Sequence, residues 1–128
     1  MAEKTPRPTE GELTILQVLW ERGPNTVREI QRILNETKPT GYTTVLKLLQ
    51  IMTDKGLVER DDTVRPQIYR PRHSREHTQR RLLRDLLDRA FGGSVKSMVL
   101  QALAARKSSP EELQAIEKLL DKFEGGEK

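Results

Sequence analysis

The sequence contains no cysteine among its 128 residues. Disulfides, iron–sulfur clusters and zinc sites built from thiolates are therefore excluded within it, and this composition is typical of cytoplasmic proteins. No run of about 18 apolar residues occurs, so we expect no membrane-spanning helix. The opening residues, MAEKTPRPTE, lack the apolar core of a secretion signal. These absences favour a cytoplasmic protein without a membrane partner.

Aromatic side chains are also scarce, with one tryptophan, two tyrosines and two phenylalanines. A monomer with so few large apolar groups would have a small core, which favours burial of further surface by oligomerisation. The net charge is +4 and the pI about 9.6. Residues 38–72 hold seven Lys and Arg against four Asp and Glu. Such a modest excess is compatible with nucleic-acid binding and also with an ordinary solvated surface.

Motifs for catalysis or cofactor binding are absent from the sequence. The glycines lack the spacing of a phosphate-binding loop, and no nucleophile motif relates the serines, histidines and aspartates. His73 and His77, with Glu76 between them, could hold a divalent metal only on one continuous helix. Ser74 is the better helix cap and would leave His73 outside. We therefore predict a protein that is not an enzyme and that uses no cofactor or metal.

Two short amphipathic helices are predicted near the N-terminus, after a flexible arm at residues 1–8. The first begins at Thr9, which forms a capping box with Glu12, and ends at Gly23. The second begins at Thr26, with a capping box to Glu29. Their inward faces are formed by apolar residues at helical spacing: Leu13, Ile15, Leu16, Leu19 and Trp20, then Val27, Ile30, Ile33 and Leu34.

A third helix, residues 41–55, is followed by two short β-prone runs, 57–60 and 67–70. The order of helix and then hairpin is typical of a winged helix-turn-helix, whose last helix can enter a DNA major groove. The outward face of the helix is polar rather than highly charged, and these residue types contact phosphates and base edges. It comprises Thr43, Lys47, Gln50 and Asp54, with Leu46 beside them.

The second half of the sequence predicts three more amphipathic helices and no sheet. Their caps are Ser74, Ser94 and Ser109, and glycines at 92–93 separate the first two. Because these helices could not bury their apolar faces alone, we expect a dimer interface here. The expected interface residues are Leu82, Leu86, Met98, Leu103, Leu113, Ile116, Leu120 and Phe123.

The predicted fold is therefore mainly α with a small β-hairpin wing: a winged helix-turn-helix followed by a three-helix dimerisation segment. The winged-helix domain is predicted at residues 9–72 and the dimerisation domain at residues 73–124. Residues 125–128 are predicted to form a disordered tail.

Four segments in this order resemble the penicillinase-repressor family of bacterial regulators, of the BlaI/MecI type, with its copper-responsive CopY branch. They are LTILQVLWERGPNTVREIQRIL, GYTTVLKLLQIMTDKGLVER, the wing DDTVRPQIYRP and a trailing helical segment with GGS, and the resemblance covers residues 10–123. It implies a homodimeric repressor that occupies an inverted-repeat operator in double-stranded DNA. It also implies DNA contacts from Tyr42, Thr43, Thr44, Lys47 and Gln50.

Three wing arginines, Arg60, Arg65 and Arg70, are added as candidate phosphate contacts because guanidinium groups pair well with phosphate. Arg65 precedes Pro66, which biases it towards an extended backbone at the hairpin tip. Asp61 and Asp62 are expected to form the turn and to point away from DNA.

Two departures from the family leave its signalling open here. Penicillin-responsive members are cut at an Asn-Phe bond, and the matching positions are Gln101 and Ala102. The copper-responsive branch uses a cysteine cluster that this sequence lacks. The operator, the inducer and the identity of any regulatory protease are therefore not predicted.

A second interpretation is a winged-helix scaffold that binds protein in a larger assembly. A protein-docking face should present large apolar or aromatic groups. The polar outward face of the third helix favours DNA over this alternative.

Overall fold

The computed structural model of the chain describes residues 7–125, and in them it contains six helices and one hairpin. In chain order they are α1 (Glu10–Arg22), α2 (Val27–Asn35), α3 (Tyr42–Lys55), β1 (Val58–Asp61), β2 (Ile68–Pro71), α4 (Arg75–Phe91), α5 (Val95–Ala105) and α6 (Pro110–Gly125). The mainly α fold with a hairpin wing is confirmed. Most of the predicted arm, residues 1–6, and residues 126–128 of the tail lie outside the described residues.

The chain divides into two compact units between Leu82 and Leu83, within α4. Across residues 7–125, none of the helices has the length and the hydropathy needed to cross a lipid bilayer.

Helix starts follow the predicted capping residues closely. The Thr9 hydroxyl accepts from the Glu12 N–H at 3.3 Å, and the Glu12 carboxylate accepts from the Thr9 N–H at 2.9 Å, so the first capping box is complete. The second capping box is only half formed. Thr26 accepts from the Glu29 N–H at 3.1 Å, but the Glu29 carboxylate bonds Arg32 instead. A guanidinium one turn away offers the carboxylate a charged donor, which is stronger than a backbone amide.

The core of the first unit lies among α1, α2, α3 and the hairpin. It is formed by twelve buried side chains: Ile15, Leu16, Val18, Leu19, Val27, Ile30, Val45, Leu49, Met52, Leu57, Val58 and Tyr69. Each helix contributes residues three or four apart, as expected for one buried face of a helix. One face of α3 is therefore packed into this core, and its other face is directed to solvent.

The wing is an antiparallel hairpin that is fastened to the helical core. Its strands begin and end one residue later than predicted, and Arg60 lies opposite Tyr69. Tyr69 is buried and exchanges two backbone hydrogen bonds with Asn25, at 2.8 and 3.0 Å, in the turn before α2. This third short segment of pairing fixes the root of the wing to the α1–α2 turn.

The second unit contains the rest of α4 with α5 and α6. The predicted caps are present, since Ser74, Ser94 and Ser109 each accept from a backbone N–H three residues on at 3.0–3.1 Å. Pro110 stands at the first position of α6, where a proline breaks no intrahelical hydrogen bond. None of the described side chains between residues 83 and 123 is buried. The apolar faces of this unit therefore remain uncovered within one chain.

Candidate nucleic-acid interface

The outward face of α3 presents four polar side chains with no internal partner. Thr43, Thr44, Lys47 and Gln50 are all exposed, and in the described part of the chain none of them has a hydrogen bond or an ion pair. Thr43, Lys47 and Gln50 follow one another at a spacing of three or four residues, which aligns them on one side of the helix. Their donors and acceptors are available to a ligand.

Two apolar residues of α3 differ from the expected arrangement. Leu46 was placed beside the outward face but is half-buried and packs against the core. Ile51, for which no position was predicted, is 38% exposed. It follows Lys47 by four residues and so adds an apolar group to the polar face. The periodicity alone could have located it, because Ile51 does not follow the three- or four-residue spacing of the buried positions 45, 49 and 52.

Tyr42 stands at the first position of α3 and is 43% exposed. The guanidinium carbon of Arg28, in the first turn of α2, lies 5.6 Å from the centroid of the Tyr42 ring. A cation over an aromatic face at this distance is attractive and restrains both groups. Arg28 was not among the predicted site residues, because nothing in the sequence relates positions 28 and 42.

Two of the three wing arginines form ion pairs with carboxylates. Arg60 pairs with Asp62 at 2.7 Å, and the side-chain hydrogen bond to Asp62 raises the pKa of Arg60. Arg70 lies 3.8 Å from Glu59, its partner across the hairpin, and 4.0 Å from Asp61. All of these side chains are at least partly exposed, so the pairs are weak and a phosphate could compete for either arginine.

Arg65 differs from its two neighbours. It is exposed in the turn of the hairpin and has no ion-pair partner among the described residues. Asp61 bonds the Thr63 N–H at 2.9 Å and the Thr63 hydroxyl at 2.6 Å, which lowers the pKa of Asp61. This is the turn-forming role expected for Asp61. Asp62 instead forms an ion pair with Arg60. Among the candidate contact residues, Arg65 and Lys47 are therefore the two cations without a carboxylate partner in the described residues.

The end of α3 fixes the direction in which the wing departs. Gly56 ends the helix with a φ of 81°, a left-handed conformation that favours glycine. The Leu57 N–H then bonds the Met52 carbonyl at 2.8 Å, and the Arg72 N–H bonds the Leu57 carbonyl at 3.0 Å. Both ends of the hairpin are therefore held at the C-terminus of α3.

The predicted dimer residues all lie in α4, α5 and α6 and carry substantial exposed apolar surface. Phe123 is 70% exposed and Leu120 is 52% exposed. Leu86, Leu103 and Leu113 are likewise exposed, whereas Leu82, Met98 and Ile116 are half-buried. Gln101 and Ala102, at the position of the family's cleavage bond, are exposed inside α5.

The histidine pair does not form a metal site with carboxylates. His73 lies before α4, as predicted, and its ring stacks on that of His77 with 4.6 Å between the centroids. Within residues 7–125, no group of three or more potential metal ligands comes together.

Comparison with known proteins agrees with the arrangement of helices and wing. A family model described as "Penicillinase repressor" matches residues 8–122. The chain is 29% identical to "Transcriptional regulator BlaI" of Mycobacterium tuberculosis (strain CDC 1551 / Oshkosh), over 90% of this chain and 83% of that protein. It is 23% identical to "Penicillinase repressor" of Bacillus licheniformis, over 98% of both proteins.

Among solved structures, the fold is similar to a solution structure of the Bacillus licheniformis BlaI monomeric form in complex with the blaP half-operator. The TM-score is 0.50 at 22% identity, over 57% of this chain and 89% of that one. This likeness supports the winged-helix fold. The family match spans nearly the whole sequence, and its members are transcriptional repressors rather than enzymes. The chain belongs to the penicillinase repressor family.

Proposed function

We propose that this protein is a dimeric transcriptional repressor that occupies an inverted-repeat DNA operator. The observation that carries the proposal is the outward face of α3, whose polar groups have no partner in the described residues. Unpaired hydroxyl, amide and ammonium groups on a helix face that points away from the core suit the edges of bases in a major groove. The related Bacillus licheniformis protein was solved with a half-operator, which supports the same use of this fold.

Within this proposal, α3 enters the major groove and the wing follows the adjacent backbone. Thr43, Thr44, Lys47 and Gln50 face base edges and nearby phosphates, with Tyr42 at the start of the helix. Arg65 contacts a phosphate or the minor groove without losing an ion pair. Arg60 and Arg70, in contrast, must first leave their carboxylate partners. The wing arginines therefore contribute more to affinity than to sequence preference.

The second unit supplies the dimer. No described side chain of residues 83–123 is buried, and large apolar groups such as Phe123 and Leu120 are exposed. A second copy of the chain can cover these faces symmetrically. Two linked DNA-binding units then bind two half-sites with an advantage in effective concentration.

The proposal is tested by selecting DNA from a random library with the full-length protein and measuring binding to the selected sequence. We expect an inverted repeat bound by one dimer, with affinity that falls steeply as salt is added, because phosphate contacts release counterions. Enrichment of single, unpaired half-sites would contradict the dimeric mode. Failure to enrich any sequence, together with salt-insensitive retention of other proteins, would favour the scaffold alternative.

A further inference from the structure

A cavity of about 500 Å³, broadly open to solvent, lies in the first unit, next to the first turn of α4. Its volume is within the range of about 300–1,000 Å³ found for small-molecule sites. Its apolar lining residues are Leu19 and Trp20 from α1 and Pro71 at the end of the wing. None of the proposed DNA-contacting residues lines it. The cavity is therefore a separate feature from the face of α3.

Two nitrogen atoms of residues that line this cavity lack hydrogen-bond partners. They are Nε1 of Trp20 and Nε2 of His73, and both are buried. An indole N–H can only donate, so the partner that would satisfy Trp20 must be an acceptor. Native proteins seldom leave buried polar atoms unpaired, and an unpaired atom points to an absent partner. Both residues line the cavity, so a ligand bound there is a candidate for the missing partner.

The charges around the cavity favour an anionic acceptor. Arg72 and Arg75 line it, and Glu76 is the single carboxylate among the lining residues. The α4 helix also begins here; Ser74 accepts from the His77 N–H, and the amides of Arg75 and Glu76 have no intrahelical acceptor.

The surroundings of His73 disfavour its protonated form. Its pKa is lowered, first by burial and then by the charges of His77, Arg72 and Arg81, whereas Glu59 acts in the opposite direction. Among the residues that line the cavity, two arginines outnumber one carboxylate, which agrees with a ligand of a single negative charge.

We propose that this cavity binds a small organic anion, a carboxylate attached to an apolar body. The carboxylate accepts a hydrogen bond from the Trp20 indole N–H and pairs with the guanidinium of Arg75, while the apolar body contacts Leu19 and Pro71. The guanidinium carbon of Arg75 lies 5.7 Å from the Trp20 ring centroid. Because the indole nitrogen is buried, ligand binding requires a side-chain movement that exposes it. Glu76 disfavours ligands of higher negative charge.

The test uses the intact protein, because Trp20 is its single tryptophan and its fluorescence reports on the cavity. Benzoate serves as the probe, and benzamide is its neutral counterpart of nearly the same shape. We expect a saturable change in Trp20 emission with benzoate, with a Kd of about 1 mM or below, and binding at least about tenfold weaker for benzamide. Lack of saturation by benzoate, or equal affinity for benzamide, would overturn the proposal.

Two substitutions examine the named contacts by titration calorimetry. Trp20→Phe retains an aromatic ring and removes the donor, and Arg75→Gln removes the charge. Each should weaken benzoate binding by about tenfold, as expected for loss of a hydrogen bond to a charged group. Arg106→Gln, an exposed position in the second unit, is the matched control and should bind as the unaltered protein does. Full-strength binding by folded Arg75→Gln protein would rule out the proposed carboxylate partner. The benzoate–benzamide comparison needs no variant and none of these measurements requires DNA, so their outcome is independent of the proposed function.

Discussion

Lys55 and Glu12 form an ion pair that joins the end of α3 to the first turn of α1. The Lys55 ammonium lies 2.8 and 3.0 Å from the two oxygens of a carboxylate that is only 2% exposed. The same carboxylate accepts the Thr9 N–H of the capping box. Glu12 therefore fixes the start of one helix and the end of another, and it holds the proposed DNA-contacting helix in place.

The first prediction concerns this pair. Glu12→Gln should lower the free energy of unfolding by about 1–3 kcal/mol, because it leaves a charged amine without its buried counter-ion. Urea denaturation measures the change. Glu21→Gln, an exposed substitution on the same helix, should alter stability by less than about 0.5 kcal/mol. Equal effects of the two substitutions would show that the ion pair adds nothing.

The second prediction concerns the outward face of α3. Lys47→Ala should weaken operator binding by about 1–3 kcal/mol, because this ammonium has no competing carboxylate in the described residues. Fluorescence anisotropy with operator and random DNA distinguishes its partner. A base contact is lost on the operator alone, whereas a phosphate contact is lost on both. Lys96→Ala in α5 is the control. If both Thr44→Ala and Lys47→Ala bound the operator normally, the DNA-reading surface would have to lie elsewhere.

The third prediction compares two wing arginines. Arg65→Ala should weaken binding to operator and to random DNA by similar factors and reduce the salt slope by about 1, since it removes one phosphate contact. Arg60→Ala should cost less, because Arg60 must leave Asp62 before it can meet DNA. Binding isotherms at several salt concentrations measure both. Melting temperatures should barely change. A loss of affinity confined to one base pair of the operator would instead show that Arg65 contacts a base.

The fourth prediction tests the dimer. Leu120→Glu places a carboxylate among the exposed apolar residues of α6 and should produce a monomer at micromolar concentration. Sedimentation velocity measures the oligomeric state. Gln114→Glu adds the same charge at an exposed position on the other side of α6 and should leave the dimer intact. Sedimentation of the unaltered protein as a monomer would contradict the proposed dimerisation through the second unit.

The fifth prediction follows from the lowered pKa of His73. The folded protein resists protonation of this ring, chiefly because of burial, whereas the unfolded chain takes up the proton near pH 6.5. The unfolded state then binds more protons, so stability should fall as the pH drops below about 6.5. His73→Asn should reduce that fall. Urea denaturation at about pH 7.5 and about pH 5.5 measures the difference between the two proteins. An identical pH dependence would show that His73 does not contribute.

Local signals in the sequence determined most of the secondary structure. Capping residues such as Thr9, Ser74 and Ser109 act on amides within three residues, so their effect can be read from adjacent positions. The spacing of apolar residues likewise located the buried faces of the first two helices. The differences between prediction and structure were local. The strands were displaced by one residue, and the Glu29 carboxylate bonds Arg32 rather than the Thr26 amide.

Tertiary structure alone decided which distant residues meet. Glu12 and Lys55 are 43 positions apart, and neither residue type indicates a partner at that distance. The same holds for Asn25 with Tyr69, and for Trp20 with the start of α4. The pairing of Arg70 with Glu59 also depended on the hairpin register, because a shift of one residue changes which side chains lie opposite. Sequence fixes contacts along one helix or turn, whereas contacts between elements depend on how the whole core packs.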